Sequence, residues 1–208
     1  MNSLILLRHG QSQWNLENRF TGWKDIDLSD KGILEAKESG KLIKNKEIMI
    51  DCVYTSNLKR AINTAHYAMK EAGYTHLFKN DNLMSISDSS INERDYGDLT
   101  GLNKNQTAEK YGKEQVQIWR RSFDVKPPGG ESLSDVINRV KPYFKKIIYK
   151  EIENNNNVLM SAHGNSLRAL FFVLGFNNSK DISTLEIPTG KPFLVEFKQG
   201  KIVNKNYL

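Results

Sequence analysis

Two short apolar segments, far apart in the chain, each end in a histidine followed by a glycine. Leu4–Leu7 runs into Arg8–Gly10, and Val158–Ala162 runs into His163 and a second glycine. Short apolar runs bounded by turn residues are typical of buried parallel strands, and ligands bind at the carboxyl ends of such strands. The glycine after His9 permits a close approach to the backbone. If the two strands are neighbours, the two histidines lie side by side in a binding site.

The chemistry that suits such a pair is phosphoryl transfer through a phosphohistidine. A neutral imidazole nitrogen of His9 would attack phosphorus, while Arg8, Arg60 and His163 would neutralise the phosphoryl oxygens. Arg60 lies in the first helical turn after a second predicted strand, Asp51–Thr55. A positive charge there opposes the helix dipole, and a bound anion would relieve that conflict. An exposed surface arginine is the alternative for Arg60.

A leaving alkoxide needs a proton, and the carboxyl group of Glu93 is the candidate donor. To donate a proton at neutral pH, Glu93 must be partly protonated, although a free glutamate has a pKa of about 4.3. Burial and nearby phosphate dianions would raise its pKa, whereas neighbouring arginines would lower it. The sequence leaves the direction of this shift open.

Metal catalysis is the alternative chemistry. Asp25, Asp27 and Asp30 are clustered, but they fit a loop followed by a helix cap. No histidine pair combines with an acid at the spacing of metal ligands, and arginines beside the histidines would repel a cation. We therefore expect a reaction that needs no metal.

The elements that must position these residues alternate between strands and helices. Besides the strands above, the pattern predicts a strand within Phe78–Ile86, terminal strands at Pro192–Phe197 and Lys201–Asn206, and helices at Asp30–Asn45, Asn57–Ala72, Lys104–Tyr111, Glu114–Ser122, Ser134–Asn154 and Leu167–Leu174. This order is typical of a three-layer α/β/α fold with a mostly parallel sheet flanked by helices. We expect one catalytic domain over residues 1–208, with Pro127–Gly130 as an internal loop.

Composition argues against several classes of protein. The chain is 38% hydrophobic and 26% charged, and no stretch approaches the roughly 20 apolar residues of a membrane span. The net charge of +6 suggests nucleic-acid binding, but the lysines alternate with acids along predicted helices, as on a solvated surface. We expect neither a nucleic-acid nor a membrane partner. A single cysteine, Cys52, and the absence of a secretion signal predict a cytoplasmic location.

Taken together, the motifs resemble those of the cofactor-dependent phosphoglycerate mutases of the histidine phosphatase superfamily. The matching segments are Leu6–Asn15, Asn18–Trp23, Tyr54–Ala61, Asn92–Arg94, Tyr96–Gly97, Gly101–Lys104, Trp119–Arg121 and Ala162–Arg168. The arginine-histidine-glycine motif alone would indicate only the superfamily, whereas the combined set is specific for the mutases.

The resemblance implies that His9 is the phosphorylated nucleophile and Glu93 the general acid and base, with His163, Arg8 and Arg60 around the transferring group. It also implies substrate contacts from Ser12, Asn15, Thr21, Gly22, Arg94, Tyr96, Lys104, Arg120, Arg121, Gly164 and Asn165. The implied reaction interconverts 3-phosphoglycerate and 2-phosphoglycerate in glycolysis and gluconeogenesis. It is primed by 2,3-bisphosphoglycerate and needs no metal, and a homodimer is the expected assembly.

Two positions and one segment depart from the family pattern. Asp95 stands where many members have histidine, Gln11 stands where glutamate is frequent, and the segment Lys126–Glu131 is shorter than in many members. The acidity of Asp95 beside Glu93 would affect the pKa of the proposed acid. This short segment, together with the short tail after Tyr207, leaves the oligomeric state and the closure of the site open.

A phosphatase of the same superfamily is the nearest alternative function, with water taking the phosphoryl group from His9. A mutase must instead retain a bisphosphorylated intermediate, and Lys104, Arg120 and Arg121 favour retention because they add anion contacts. A non-catalytic anion-binding module is a further alternative. Such a module would tolerate substitution at His9 and Glu93.

Overall fold

A six-stranded sheet runs through the centre of the computed structural model, which describes residues Met1–Leu208. Its strands are β1 (Asn2–Arg8), β2 (Cys52–Thr55), β5 (Ser85–Ser87), β6 (Val158–Ala162), β7 (Phe193–Lys198) and β8 (Lys201–Tyr207), in the spatial order β5-β2-β6-β1-β7-β8. Only β7 runs against the direction of the other five strands. The predicted mostly parallel sheet is therefore confirmed.

Eight α-helices surround this sheet. They are α1 (Gln13–Leu16), α2 (Asp30–Lys44), α3 (Lys59–Ala72), α4 (Lys104–Tyr111), α5 (Lys113–Arg121), α6 (Leu133–Tyr143), α7 (Tyr149–Glu153) and α8 (Gly164–Val173). None of them is both long and apolar enough to cross a membrane.

The side chains of β1 explain the layers, because successive residues of a strand point to opposite faces. Leu4 and Leu6 are buried in a core that includes residues of α6 and α8. Ile5 and Leu7 are buried in a second core that includes residues of α2 and α3. Because β1 is covered on both faces, its central residues form an unbroken apolar run. The predicted α/β/α arrangement is confirmed.

The register of the central strands brings the two histidines to the same edge. β1 and β6 pair in parallel up to Arg8 and Ala162, so His9 and His163 leave the sheet at the same level. On the other side of β6, Thr55 pairs with Ser161, and the chain then enters α3, which carries Arg60.

Two predicted elements differ in the structure. Phe78–Ile86 is not one strand: Asn80 and Asp81 adopt positive φ angles and close a small hairpin, β3 (Phe78–Lys79) with β4 (Asn82–Leu83), before the edge strand β5. The predicted helix Ser134–Asn154 is divided into α6, a π-helical turn and α7. Pro142 removes one N–H from the helical ladder just before that turn.

Candidate active site

His9 follows directly after β1 and is 3% exposed. Its Nδ1 lies 2.7 Å from the carbonyl oxygen of Gly10. Because a carbonyl only accepts, Nδ1 carries the proton and Nε2 keeps a lone pair. Burial lowers the pKa of His9 well below its usual range, and the charges of Arg60 and Arg8 lower it further. The ring is therefore neutral, as a nucleophilic imidazole must be.

His163 lies beside His9, with 4.9 Å between the two ring centroids. Its Nε2 is 2.7 Å from the hydroxyl oxygen of Ser56, which already accepts the N–H of Leu58. The Ser56 hydroxyl can donate its hydrogen to Nε2, and in that arrangement the proton of His163 lies on Nδ1. Nδ1 is buried and has no partner in the protein. In that tautomer Nδ1 is a donor available to a bound anion.

Two arginines complete this end of the cavity. Arg60 is 1% exposed, so the alternative of a surface arginine is wrong. Its guanidinium donates to the carbonyl oxygens of Lys24, at 2.9 Å, and Gly22, at 2.8 Å. Burial lowers the pKa of Arg60 to about 10, which still leaves it charged at neutral pH. Arg8 donates from Nη1 to the carbonyl of Ile187, and its buried Nε has no partner.

Glu93 lies in an irregular segment, and two backbone N–H groups fix its carboxylate. Its Oε1 accepts from Arg94, at 2.8 Å, and from Asn165 at the start of α8, at 3.1 Å. Burial raises the pKa of Glu93, but the Arg94 N–H and the charges of Arg60 and Arg8 outweigh burial and lower the pKa below its ordinary value. The protein's own groups therefore hold Glu93 ionised.

The glycine after His9 has a different use from the one its position suggests. A Cβ on Gly10 would lie 2.2 Å from the carbonyl oxygen of Gly32, and a Cβ on Gly32 would lie 2.1 Å from that of Gln11. The close approach at Gly10 is therefore made by the first turn of α2. The two glycines let this helix pack directly against the end of β1.

The far end of the cavity is built from α4, α5 and the loops around them. Lys104 is the first residue of α4, and Arg120 and Arg121 are in the last turn of α5. Of the predicted residues, the cavity is lined by Arg8, His9, Asn15, Thr21, Gly22, Arg60, Glu93, Tyr96, Lys104, Arg120, Arg121, Gly164 and Asn165. The structure thus gathers these residues, from eight separate parts of the sequence, around one cavity.

Three predicted residues lie behind the cavity lining. His163 is fully buried next to His9. Ser12 caps α1, where its hydroxyl accepts the N–H of Asn15. Arg94 is fully buried and donates to the Tyr96 hydroxyl and the Arg120 carbonyl. The positions of Ser12 and Arg94 are those of supports for residues that do line the cavity.

Four lining residues were not among the predicted contacts: Arg19, Phe20, Arg168 and Glu186. Arg168 lies one helical turn after Asn165 on α8 and donates to its side-chain oxygen at 3.1 Å. The three-residue spacing of Asn165 and Arg168 in a predicted helix could have indicated that both face the site. Glu186 pairs with both Arg121 and Arg168. It comes from an irregular segment that carries no periodic pattern.

The three aspartates considered as metal ligands have local roles. Asp25 accepts the N–H of Lys59 at 2.8 Å, and Asp27 accepts the N–H of Leu28 at 2.7 Å. Asp30 is the first residue of α2, where a negative charge suits the helix dipole. They fit the predicted loop and helix start.

Comparison with known proteins identifies the family. The model of the histidine phosphatase superfamily, branch 1, matches residues 4–207. The chain is 48% identical over 191 residues to the 2,3-bisphosphoglycerate-dependent phosphoglycerate mutase of Azorhizobium caulinodans, covering 92% of this chain and 90% of the relative. It is 46% identical over 208 residues to the mutase of the same name from Parvibaculum lavamentivorans, covering 100% and 96%.

Among solved structures, a mycobacterial glucosyl-3-phosphoglycerate phosphatase in complex with VO3 has a TM-score of 0.80 and 24% identity, covering 100% of this chain and 97% of that one. This likeness shows the fold. The identity to the curated mutases goes further, because it extends over nearly the whole of both chains. The chain belongs to the 2,3-bisphosphoglycerate-dependent phosphoglycerate mutase family of the histidine phosphatase superfamily.

Proposed function

We propose that this protein interconverts 3-phosphoglycerate and 2-phosphoglycerate through a phosphohistidine on His9, primed by 2,3-bisphosphoglycerate. The observation that carries the proposal is the charge of the cavity. Seven of its lining side chains are cationic, whereas only Glu93 and Glu186 are acidic. One phosphate does not need so many cations, but a glycerate with two phosphates and a carboxylate does.

Unpartnered buried donors support a polyanionic ligand of this kind. Arg8 Nε, Thr21 Oγ1, Arg121 Nη1 and His163 Nδ1 are all buried without a hydrogen-bond partner in the protein. Such atoms are costly unless a ligand satisfies them. They fit a ligand with phosphate oxygens at one end of the cavity and a further anionic group at the other. When bound, 2,3-bisphosphoglycerate supplies the phosphoryl group that primes His9.

The residues divide the reaction between them. His9 Nε2 forms a bond to phosphorus as the ester P–O bond of the phosphate donor breaks, while Arg8, Arg60 and the Nδ1–H of His163 balance the charge on the phosphoryl oxygens. In the return step the bond from Nε2 to phosphorus breaks, and a substrate hydroxyl takes the phosphoryl group. Glu93 accepts the proton of that hydroxyl in the return step. When His9 is phosphorylated, Glu93 donates a proton to the oxygen that leaves phosphorus.

The lowered pKa of Glu93 suits one half of this cycle directly. An ionised carboxylate can accept the proton of an attacking hydroxyl. For the other half, a phosphate dianion close to Glu93 raises its pKa and so favours the protonated form. The substrate itself thus supplies part of the shift that the acid step needs.

The same proposal includes the broader properties of the protein. Residues 1–208 form one catalytic domain, the reaction needs no metal, and the protein works in the cytoplasm as a homodimer. The excess of arginine and lysine side chains around the cavity supports a metal-independent reaction, because these positive charges would repel a divalent cation.

A coupled assay tests this function. Purified protein given 3-phosphoglycerate, a trace of 2,3-bisphosphoglycerate and EDTA is expected to form 2-phosphoglycerate, and His9→Ala is expected to abolish the activity. Brief exposure to the bisphosphate should leave an acid-labile phosphate on His9 in the wild type alone. Inorganic phosphate as the main product would identify a phosphatase instead, and activity only without EDTA would contradict the metal-free mechanism.

A further inference from the structure

Arg139 lies on α6 outside the cavity, yet it is bonded to the segment that carries Glu93. Its Nη1 donates to the carbonyl oxygens of Ser90, at 2.8 Å, and Asn92, at 3.0 Å. Its Nη2 donates to the carbonyl oxygen of Glu93 itself at 2.9 Å. The other two N–H groups form a bidentate pair with Glu131, both at 2.9 Å. All five N–H donors of the guanidinium are thus used.

Glu131 extends this contact to the other side of Glu93. Its Oε2 accepts the N–H of Asp95 at 2.9 Å, and its own N–H donates to the carbonyl of Asp95, also at 2.9 Å. Trp23 adds a third contact, since its Nε1 donates to the carbonyl of Glu93 at 2.6 Å. The backbone is therefore held at Asn92, Glu93 and Asp95, although this segment belongs to no helix or strand.

The position of the Glu93 carboxylate depends on that backbone. The carboxylate accepts the N–H of the next residue, Arg94, so its direction follows the local chain. Proton transfer is sensitive to such geometry, and a displacement of about 1 Å can cost about 100-fold in rate. We propose that Arg139, held by Glu131, is a positioning residue that sets the proton-transfer geometry of Glu93.

This inference rests on the proposed function, in which Glu93 is the acid and base. Arg139 could also act by its charge, because that charge contributes to lowering the pKa of His163. Arg139→Lys separates the two effects, since lysine keeps the charge and loses the planar fork. Glu131→Gln is a second variant that leaves Arg139 in place and removes the charge of its partner.

The test compares two phosphoryl donors in single-turnover phosphorylation of His9. With 2,3-bisphosphoglycerate the leaving alkoxide needs the proton of Glu93, whereas p-nitrophenyl phosphate releases a phenolate that needs none. Arg139→Lys is expected to slow phosphorylation by the bisphosphate about 10- to 100-fold. Phosphorylation by p-nitrophenyl phosphate should change by no more than about threefold, because it bypasses the general acid. Glu131→Gln should give the same selectivity with a smaller loss.

Two controls identify the cause of any loss. Tyr54→Phe removes a partly buried hydrogen bond to Glu151 and should not slow one of the two phosphorylation reactions more than the other. In a Glu93→Gln background, Arg139→Lys should have no further effect on the bisphosphate reaction, because the group it positions is gone. Equal losses with both donors, or additive losses in the double variant, would overturn the positioning role. A wild type without mutase activity, or Glu93→Gln at full rate, would instead contradict the proposed function.

Discussion

The two ends of the cavity hold their cations in different ways. At the phosphoryl end, the guanidinium of Arg60 is buried and donates to two backbone carbonyls. At the far end, Arg121 is paired with Glu186, whose side chain is 67% exposed. A carbonyl orients a cation without cancelling its charge, whereas a carboxylate competes with an anionic ligand. The phosphoryl end, called the fixed end below, therefore suits a chemical step that needs an invariant geometry. The far end, called the exposed end below, suits a substrate that must bind, reorient and dissociate.

Removing a donor from the fixed end should affect the chemical step. His163→Ala deletes the unpartnered Nδ1–H, and we expect kcat to fall by about 100- to 1,000-fold, the usual cost of losing one donor to a developing charge. KM should change little, because the cations of the far end remain. Steady-state kinetics with 3-phosphoglycerate measure both constants. A large rise in KM at unchanged kcat would contradict the division between the two ends.

The fixed end should also make stability depend on pH. Burial and neighbouring arginines lower the pKa values of His9 and His163 well below 6.5, so between those values and 6.5 the unfolded chain binds protons that the folded chain does not. The free energy of unfolding should therefore fall as pH drops below about 6.5, by at most about 1.4 kcal/mol per pH unit for each histidine. Urea denaturation at several pH values measures this slope.

Glu93 adds a decrease of the same sign at lower pH, because its folded pKa is also lowered and its stabilisation is lost as pH falls through that value. A His9→Asn variant serves as the control, since it should have a shallower slope above pH 5. An unchanged slope in that variant would mean that His9 is not buried as a neutral group.

At the exposed end, removal of a charged group should improve substrate binding, and the effect should be smaller than the loss of kcat at the fixed end. Glu186→Gln removes the carboxylate that competes for Arg121 and Arg168, so we expect KM for 3-phosphoglycerate to fall about two- to fivefold, a modest change because the glutamate is 67% exposed. Arg121→Ala is the matched control and should raise KM. A higher KM in Glu186→Gln would show that this carboxylate orients the arginines for the substrate instead of competing with it.

Local patterns were sufficient to predict the fixed end from the sequence. Leu4–Leu7 and Val158–Ala162 are apolar on both faces, which identifies them as central strands, and each ends at a histidine. The adjacency of the two histidines then needed only one assumption, that the strands are neighbours. The structure confirms that assumption.

The exposed end and the support of Glu93 were harder to predict because they depend on contacts between irregular segments. Glu186 has no pattern around it, and Arg139 resembles any charged residue on the polar face of a helix. The pKa of Glu93 could not be assigned either, since its direction depends on two N–H donors and on the distances to two arginines. These quantities exist only once the chain is folded.

The place of β1 in the sheet has a consequence for synthesis of the protein. Leu4 pairs with Val158 on one side and with Val195 on the other, so β1 leaves the ribosome long before either of its partner strands. Such long-range pairing is slow, and the waiting strand is apolar on both faces. In a nascent chain this segment therefore stays unpaired until both β6 and β7 have been synthesised, and His9 reaches its position only then.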